Sequence, residues 1–184
     1  VLIFSLFTFT ILLRIIKTWF FEMFYINLKL NQNNVLKILM VCLGNICRSP
    51  MAEGVMRHLV KEQNLDWQIA SAGTGEWHIG NPPDHRGIEV AKKYGYDIST
   101  QKAQFFTSYL FDQFDHILVM DKKNYYDVIR QAKNEEQRNK VKFFLADEGE
   151  LFDPYHHSDL FDHVFREIEA RCKKLIIQLK NEAR

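Results

Sequence analysis

A cysteine and an arginine six positions apart lie in a short stretch between a predicted strand and a predicted helix. An apolar run ends at Cys42, and Ser49-Pro50 is typical of the first turn of a helix, where proline's missing N–H is not needed. Between them, Gly44 and Asn45 tolerate left-handed backbone angles. We therefore predict a tight loop and a helix N-terminus whose backbone N–H groups form a ring able to bind a tetrahedral oxyanion.

The side chains of this loop suit nucleophilic chemistry on such an anion. A helix N-terminus favours the thiolate form of a nearby cysteine, which makes Cys42 a candidate nucleophile. Arg48 can direct a planar fork of N–H donors at two phosphate oxygens. Ser49 can donate its hydroxyl hydrogen to the thiolate. This set of side chains predicts attack of sulfur on phosphorus.

The string Cys-Leu-Gly-Asn-Ile-Cys-Arg-Ser-Pro-Met-Ala-Glu, residues 42–53, closely resembles the low-molecular-weight protein tyrosine phosphatase family. A bare Cys-x5-Arg occurs often by chance, whereas this longer string directly after a strand is specific. The resemblance implies hydrolysis of protein phosphotyrosine, and of aryl phosphates in vitro, through a phosphocysteine and without metal or other cofactor. It implies catalysis by Cys42, Arg48 and Asp153. The phosphate-binding loop would comprise Leu43, Gly44, Asn45, Ile46, Cys47 and Ser49.

The reaction also needs an acid to protonate the leaving oxygen and a base to activate water, and one carboxyl can serve both steps. Spacing alone does not choose among four carboxyls in the last third of the chain: Asp147, Asp153, Asp159 and Asp162. The sequence Asp153-Pro154-Tyr155 resembles the family's general-acid loop. The resemblance therefore selects Asp153, with the proline stiffening the loop.

Aromatic side chains are expected to form the walls that select the substrate. By resemblance, Trp77 and Tyr155 flank the phenyl ring of phosphotyrosine, although Trp77 could instead be a packing residue. His156 stands where many relatives carry a second aromatic residue, which changes the width and polarity of the wall. Asn45 and Ser71 match family positions that hold the loop in its anion-binding shape.

The two other cysteines have different expected roles. Cys47 resembles a second cysteine with which some family members form a reversible disulfide, while a plain packing role remains equally open. Cys172 lies on the apolar stripe of the last helix and is predicted to be a core residue.

Three alternative functions remain to be separated. Arsenate reductases of the same fold need a further pair of cysteines, and no such pair lies between Arg48 and Cys172. Protein-arginine phosphatases carry threonine where this chain has Ile46, whose branched side chain should crowd a phosphoguanidinium. The third alternative is an inactive module that only binds phosphate or phosphotyrosine, and the intact set of chemical side chains argues against it.

Elements that alternate along the chain must position these residues. Apolar runs predict four strands, at 36–41, 67–70, 116–120 and 141–145. Five helices are predicted: one directly after the Cys42 loop, and the others at 84–94, at 107–111, at 122–130 and from Phe161 onward. Asp84 is expected to cap the second of these, and Gly95 to end it. The alternation indicates an α/β fold with a parallel sheet and helices on both faces. The resemblance adds a flavodoxin-like strand order, 2-1-3-4.

Composition excludes several classes of protein. The 184 residues are 47% hydrophobic and 26% charged with a formal net charge of +1, so a nucleic-acid partner is not expected. Three cysteines do not make a disulfide framework, which favours a reducing, cytoplasmic setting. The seven histidines show no ligand spacing with the cysteines, so no metal site is predicted.

Residues 1–34 differ from the rest and are treated as a separate extension before a domain at 35–184. Their uncharged stretch, 1–13, is shorter than the roughly 20 residues that span a bilayer. Translation upstream of the true start, with Met23 as the nearest initiator, is the favoured interpretation; a membrane-associated segment and an additional helix are alternatives. Membrane contact is expected only if this extension belongs to the protein. We expect a monomer or weak dimer whose substrates are phosphotyrosine proteins, and relatives in bacteria suggest a tyrosine kinase.

Overall fold

A computed structural model describes residues 35–146 and 149–182 of the chain. The extension 1–34 and Asp147, one of the four carboxyls considered as general acid, lie outside the described residues. Among the helices in the described ranges, none is both long and apolar enough to cross a membrane.

The sheet consists of four strands: β1 (Lys37–Cys42), β2 (Gln68–Gly73), β3 (His116–Val119) and β4 (Val141–Phe143). They are parallel and lie in the order β2-β1-β3-β4, which confirms the predicted fold class. Cys42 is the last residue of β1 and lies opposite Gly73, the last residue of β2. The loop after Cys42 therefore leaves the carboxyl edge of the sheet, where open parallel sheets bind ligands.

Helices cover both faces of this sheet. The α-helices in the described residues are α1 (Arg48–Glu62), α2 (His85–Lys93), α3 (Leu110–Gln113), α4 (Lys122–Ile129), α5 (Glu135–Asn139) and α6 (Phe161–Glu182). Successive side chains of a strand point to opposite faces, so β1 contributes to two cores. Ile38 and Met40 pack in the core that includes α1 and α6, whereas Leu39 and Val41 pack with α3 and α4.

Two helices follow the sequence prediction closely. The side chain of Asp84 accepts a hydrogen bond from the backbone N–H of Arg86 at the start of α2, and Gly95 ends the helix region with a φ of 87°. The last helix buries its entire predicted stripe, which consists of Phe161, Val164, Phe165, Ile168, Cys172, Leu175, Ile176 and Leu179.

Several predicted boundaries were wrong. The second strand continues through Ser71 to Gly73, because its last residues pair with the end of β1, whereas the small residues suggested a turn. The fourth strand is shorter than predicted, since Phe144 and Leu145 leave the sheet and enter the core between the sheet and α6. The short helix predicted at 107–111 is shifted to α3.

The helix α5 was missed by the sequence prediction. It is short and mostly polar, so it carries no apolar periodicity. Its start is instead fixed locally, because the side chain of Asn134 accepts a hydrogen bond from the backbone N–H of Gln137.

Candidate active site

The loop between β1 and α1 curves tightly around the Cys42 sulfur. Asn45 adopts the left-handed conformation expected for it, with a φ of 53°. Gly73 on the neighbouring strand permits this path, because a Cβ there would lie 2.9 Å from the carbonyl oxygen of Leu43 and 3.0 Å from the Asn45 nitrogen. The local sequence thus brings the loop backbone against the end of β2.

Hydrogen-bond donors surround the buried Cys42 thiol. Its Sγ lies 3.0 Å from Ser49 Oγ and 3.3 Å from the backbone nitrogen of Asn45, which donates to it. The start of α1 has no side-chain cap at Cys47. In the described part of the chain, the N–H groups of Gly44, Ile46 and Cys47 donate no hydrogen bond to another protein group. The loop therefore offers unused donors to an anion placed beside the sulfur.

Arg48 is buried beneath this loop, with only 2% of its surface exposed. Its Nη1 donates to Asp121 Oδ2 at 2.7 Å and to the carbonyl oxygen of Leu151 at 3.1 Å, while Nη2 donates to Asp153 Oδ2 at 2.6 Å. Burial opposes the charge, but nearby Cys42, Asp153 and Asp121 outweigh it and raise the pKa of the guanidinium. The third donor group, Nε, is buried without a hydrogen-bond partner among residues 35–146 and 149–182.

Asp121 is a site residue that the sequence reasoning missed. Its second contact explains why. Its Oδ1 accepts a hydrogen bond from the backbone N–H of Asn124 at 2.7 Å and so caps α4. An aspartate before a helix is usually a cap, and nothing in its spacing reveals the additional contact with Arg48.

The structure distinguishes three of the four carboxyls considered as general acid. Asp153 contacts Arg48, and its Oδ1 accepts a hydrogen bond from the backbone N–H of Tyr155 at 3.2 Å. Asp162 instead pairs with Lys93 on α2, and Asp159 lies exposed in a short turn before α6. Of the described carboxyls in this set, Asp153 is the one at the site.

A pocket of about 300 Å³ opens above the Cys42 loop. The predicted wall residues Trp77, Tyr155 and His156 all line it, and His78 lines it too, although the sequence reasoning did not select it. Trp77 is 71% exposed and Tyr155 41% exposed, so neither is a core packing residue. The His156 ring lies edge-on against the Tyr155 ring, with centroids 4.9 Å apart. The pocket is thus lined by the Cys42 loop together with aromatic side chains.

Cys47 lies in the same pocket and is a free, buried thiol, like Cys42 and Cys172. Burial, and secondarily the negative charge of Asp84, raises the pKa of Cys47 well above that of an ordinary thiol. Cys47 is therefore protonated at neutral pH, which makes it a poor competitor for the role of nucleophile.

The predicted loop-support residues form one connected group. Asn45 Nδ2 donates to Ser49 Oγ at 2.9 Å and to Ser71 Oγ at 2.8 Å. The first contact lies within the loop and the second joins the loop to β2. The structure therefore brings together all the predicted site residues around one pocket or in direct contact with its loop.

Comparison with known proteins places this geometry in a family. The family model described as low molecular weight phosphotyrosine protein phosphatase matches residues 37–184. The human low molecular weight phosphotyrosine protein phosphatase is 38% identical over 148 residues, which cover 76% of this chain and 92% of the human protein.

Solved structures agree with this assignment. The crystal structure of YfkJ from Bacillus subtilis superimposes with a TM-score of 0.77 at 32% identity, covering 84% of this chain and 100% of YfkJ. Vibrio vulnificus Wzb, solved in complex with benzylphosphonate, gives a TM-score of 0.71 at 33% identity, covering 79% of this chain and 99% of Wzb. From its sequence, its fold and these matches, the chain belongs to the low molecular weight protein-tyrosine-phosphatase family, whose members act on phosphotyrosine-containing proteins.

Proposed function

We propose that this protein hydrolyses protein phosphotyrosine through a phosphocysteine formed on Cys42, without a metal ion. One observation carries the proposal: Cys42 and Arg48 line the same pocket, and the N–H groups of Gly44, Ile46 and Cys47 in its loop are unused by other described residues. Among the described residues, Arg48 Nε is likewise buried without a hydrogen-bond partner. A buried N–H without a partner is unfavourable by about 1–3 kcal/mol, so this arrangement favours an anion as the missing acceptor.

In the first step, the Cys42 thiolate attacks phosphorus, an S–P bond forms and the bond from phosphorus to the tyrosine oxygen breaks. Ser49 Oγ, 3.0 Å from the sulfur, stabilises the thiolate by donating its hydrogen. The loop N–H groups and the Arg48 fork bind the three equatorial oxygens. Their charge is stabilised most in the transition state, which provides the rate enhancement without a bound metal.

Asp153 acts first as acid and then as base. Its contact with Arg48 Nη2 holds the carboxyl group at the site. The phosphate of the substrate competes for that guanidinium, so binding of the substrate frees Asp153 to face the leaving oxygen. Asp153 then gives its proton to the tyrosine oxygen as this group leaves. In the second step it takes a proton from water, whose oxygen attacks phosphorus. The S–P bond then breaks, which restores the Cys42 thiolate and releases inorganic phosphate.

The pocket favours a planar aryl ester. Trp77 and Tyr155 present exposed rings on its sides, and aromatic stacking contributes on the order of 1 kcal/mol per pair. Ile46 also lines the pocket, in keeping with the expected crowding of a phosphoguanidinium. The benzylphosphonate bound by the related Wzb is an aryl-bearing phosphate analogue of this kind.

We further propose that residues 35–184 form the catalytic domain, since the family match begins at residue 37. A reducing compartment such as the cytoplasm suits a mechanism that needs Cys42 as a free thiol. The intact mass of the endogenous protein tests where its N-terminus lies, because a start at Met23 removes residues 1–22.

The reaction is tested by acid-quenching a brief reaction with a phosphotyrosine peptide in the presence of a chelator, followed by mass mapping. We expect a phosphoryl group on the peptide that contains Cys42. Cys42→Ser should abolish both the adduct and turnover, whereas Cys172→Ser makes the same chemical change in the core and should retain both. An active Cys42→Ser protein, or activity lost on chelation, contradicts the proposal.

Substrate choice needs a separate comparison. Phosphotyrosine and phosphoarginine peptides of matched sequence, and arsenate with a thiol reductant, distinguish the three enzyme activities considered for this fold. Faster hydrolysis of phosphoarginine, or reduction of arsenate, overturns the phosphotyrosine proposal. Binding of phosphotyrosine without turnover identifies an inactive module.

A further inference from the structure

The Trp77 side chain lines the pocket, yet few specific contacts hold its ring in place. It is 71% exposed. Within residues 35–146 and 149–182, its indole makes no hydrogen bond and packs against no other aromatic ring. A wall that selects an aryl group has to stand at a fixed distance from the phosphate-binding loop, so another feature of the fold must set the position of this ring.

The Trp77 ring lies against the bare backbone of Gly75. A Cβ added at Gly75 would lie 1.9 Å from Cζ3 of the indole, 2.4 Å from Cε3 and 2.7 Å from Cη2. All three distances are too short for any real Cβ contact. The six-membered ring of Trp77 therefore occupies the space that a side chain at position 75 would need.

This position needs glycine for its lack of a side chain and not for its backbone conformation. The glycines with a positive φ among the described residues are Gly80, Gly95 and Gly149, and Gly75 is not one of them. An alanine can therefore adopt the φ of Gly75. The three heavy atoms closest to an added Cβ all belong to Trp77, so the conflict is with that ring alone.

The backbone beneath the ring is attached to the phosphate-binding loop. The N–H of Gly75 donates to the carbonyl oxygen of Leu43 at 2.8 Å, and the N–H of Thr74 donates to that of Cys42 at 2.9 Å. These two hydrogen bonds fix the height of Gly75 relative to the loop. The ring that lies on Gly75 is thereby fixed relative to the loop as well.

We propose that Gly75 is a specificity-determining residue that supports the Trp77 ring and so sets where the aryl wall stands above the Cys42 loop. The inference deepens the proposed function and rests on it only in taking Trp77 as a wall for the substrate's ring. Gly75 acts through Trp77 and is a positioning residue. A ring held in place before binding loses less freedom when a substrate stacks on it, so this support favours an aryl phosphate over a phosphate without a ring.

Gly75→Ala removes the support with one methyl group. The atoms that this methyl would meet lie at the far end of an exposed side chain, so the ring can turn away toward solvent without moving the backbone. Thermal unfolding of the variant should therefore stay near that of the wild type. The position of the ring is what the variant loses.

Two phosphonates distinguish the wall from the loop. Benzylphosphonate carries a phenyl ring, and methylphosphonate presents the same anionic group without a ring. Their dissociation constants are measured by calorimetric titration, which needs no turnover. In Gly75→Ala, the Kd of benzylphosphonate should rise about fivefold, as expected for the loss of one aromatic contact, while the Kd of methylphosphonate stays unchanged.

Trp77→Ala provides the background in which the effect should vanish. Gly75→Ala combined with Trp77→Ala should bind benzylphosphonate as Trp77→Ala alone does, because the added methyl then meets no ring. Gly87→Ala adds the same methyl where its closest contacts are 3.6 Å or more, and it should bind both phosphonates as the wild type does.

A measurement on the wild type covers the case in which Gly75→Ala does not fold. An indole fixed against the backbone contributes a tryptophan band to the near-UV circular dichroism spectrum, and Trp77→Phe should lack that band. Identical tryptophan bands in the two proteins would show that the Trp77 ring has no fixed position, which overturns the inference.

Three binding results also overturn it. The first is a wild-type Kd for benzylphosphonate in a folded Gly75→Ala protein. The second is a further loss of affinity when Gly75→Ala is added to Trp77→Ala. The third is equal weakening of both phosphonates, because the methyl would then act on the Leu43 hydrogen bond and the loop instead of the ring.

Failure of the proposed function is distinguishable from these results. It would appear as a wild-type protein that binds benzylphosphonate but does not hydrolyse phosphotyrosine. The comparison of the two phosphonates would still decide the role of Gly75 in that protein, since it measures binding alone.

Discussion

Asp121→Asn tests how much the position of Arg48 matters for catalysis. Asp121 uses one oxygen to hold Arg48 Nη1 at 2.7 Å and the other to cap α4 through the backbone N–H of Asn124. An asparagine has a single acceptor oxygen and can satisfy only one of these donors. Its NH₂ group must then face the remaining donor, so either the cap or the contact with Arg48 is lost.

The size of the effect follows from these contacts. A hydrogen bond to a charged group contributes about 1.5–3 kcal/mol, which corresponds to roughly a 10- to 150-fold change in rate. Leu151 still accepts from the same Nη1 at 3.1 Å, so Arg48 keeps one restraint on that side. We therefore expect kcat/KM for an aryl phosphate to fall about tenfold in Asp121→Asn, at the lower end of that range.

The assay compares kcat/KM of purified variants, with thermal unfolding measured in parallel. Glu150→Gln is the matched control, because Glu150 Oε2 accepts from the backbone N–H of Lys122 at the same helix start without contacting Arg48. Near wild-type activity in a folded Asp121→Asn protein would refute the reasoning. Equal losses in both variants would assign the effect to α4 itself and not to Arg48.

Three further predictions concern the acid, the core and pH. Asp153→Asn should lower kcat/KM by about 10²- to 10⁴-fold for phenyl phosphate, and less for p-nitrophenyl phosphate, whose leaving group needs little protonation. Gly54→Ala should destabilise the protein, because the added Cβ would lie 2.2 Å from Cγ2 of buried Ile98. Overpacking costs about 1–3 kcal/mol, which exceeds the gain of about 1 kcal/mol from the higher helix propensity of alanine. Burial, and then the charge of Lys142, lowers the pKa of His116 below its ordinary value of 6.5. The folded state then binds fewer protons than the unfolded state, so the free energy of unfolding decreases as the pH falls through this value. In His116→Gln this decrease should be smaller, as measured by denaturant unfolding between about pH 7 and 5.

Each of these predictions has a matched control. Asp159→Asn changes an exposed carboxyl outside the pocket and should retain activity on both substrates. Equal losses of activity on the two substrates in Asp153→Asn would contradict the role of Asp153 as the acid. Gly87→Ala adds a Cβ with ordinary contacts of 3.6 Å or more and should not destabilise. A raised melting temperature in Gly54→Ala would refute the clash argument. For the pH prediction, His163→Gln replaces an exposed histidine, and its free energy of unfolding should depend on pH as that of the wild type does. The same wild-type pH dependence in His116→Gln would contradict the reasoning.

Local signals in the sequence predicted the reactive groups and much of the fold. Cys42, Arg48 and Ser49 are close along the chain, so one loop and one helix start fix their relation. The alternation of apolar runs predicted the α/β class, and the regular stripe of the last helix predicted its buried face. Such features depend on residues only a few positions apart, which is why they can be read without coordinates.

Tertiary structure decided the contacts that join distant segments. Asp121 looks in sequence like an ordinary helix cap, and only the packing of β3 beside β1 brings it to Arg48, 73 positions away. Glu53 ends the recognisable string, yet its partner Ser71 reaches it only because β2 extends beyond its predicted end to lie beside β1. Pairing of strands fixes these long-range contacts, and no spacing within one segment encodes them. The sequence therefore predicted which groups would react, and the fold decided which buried charges lie against them.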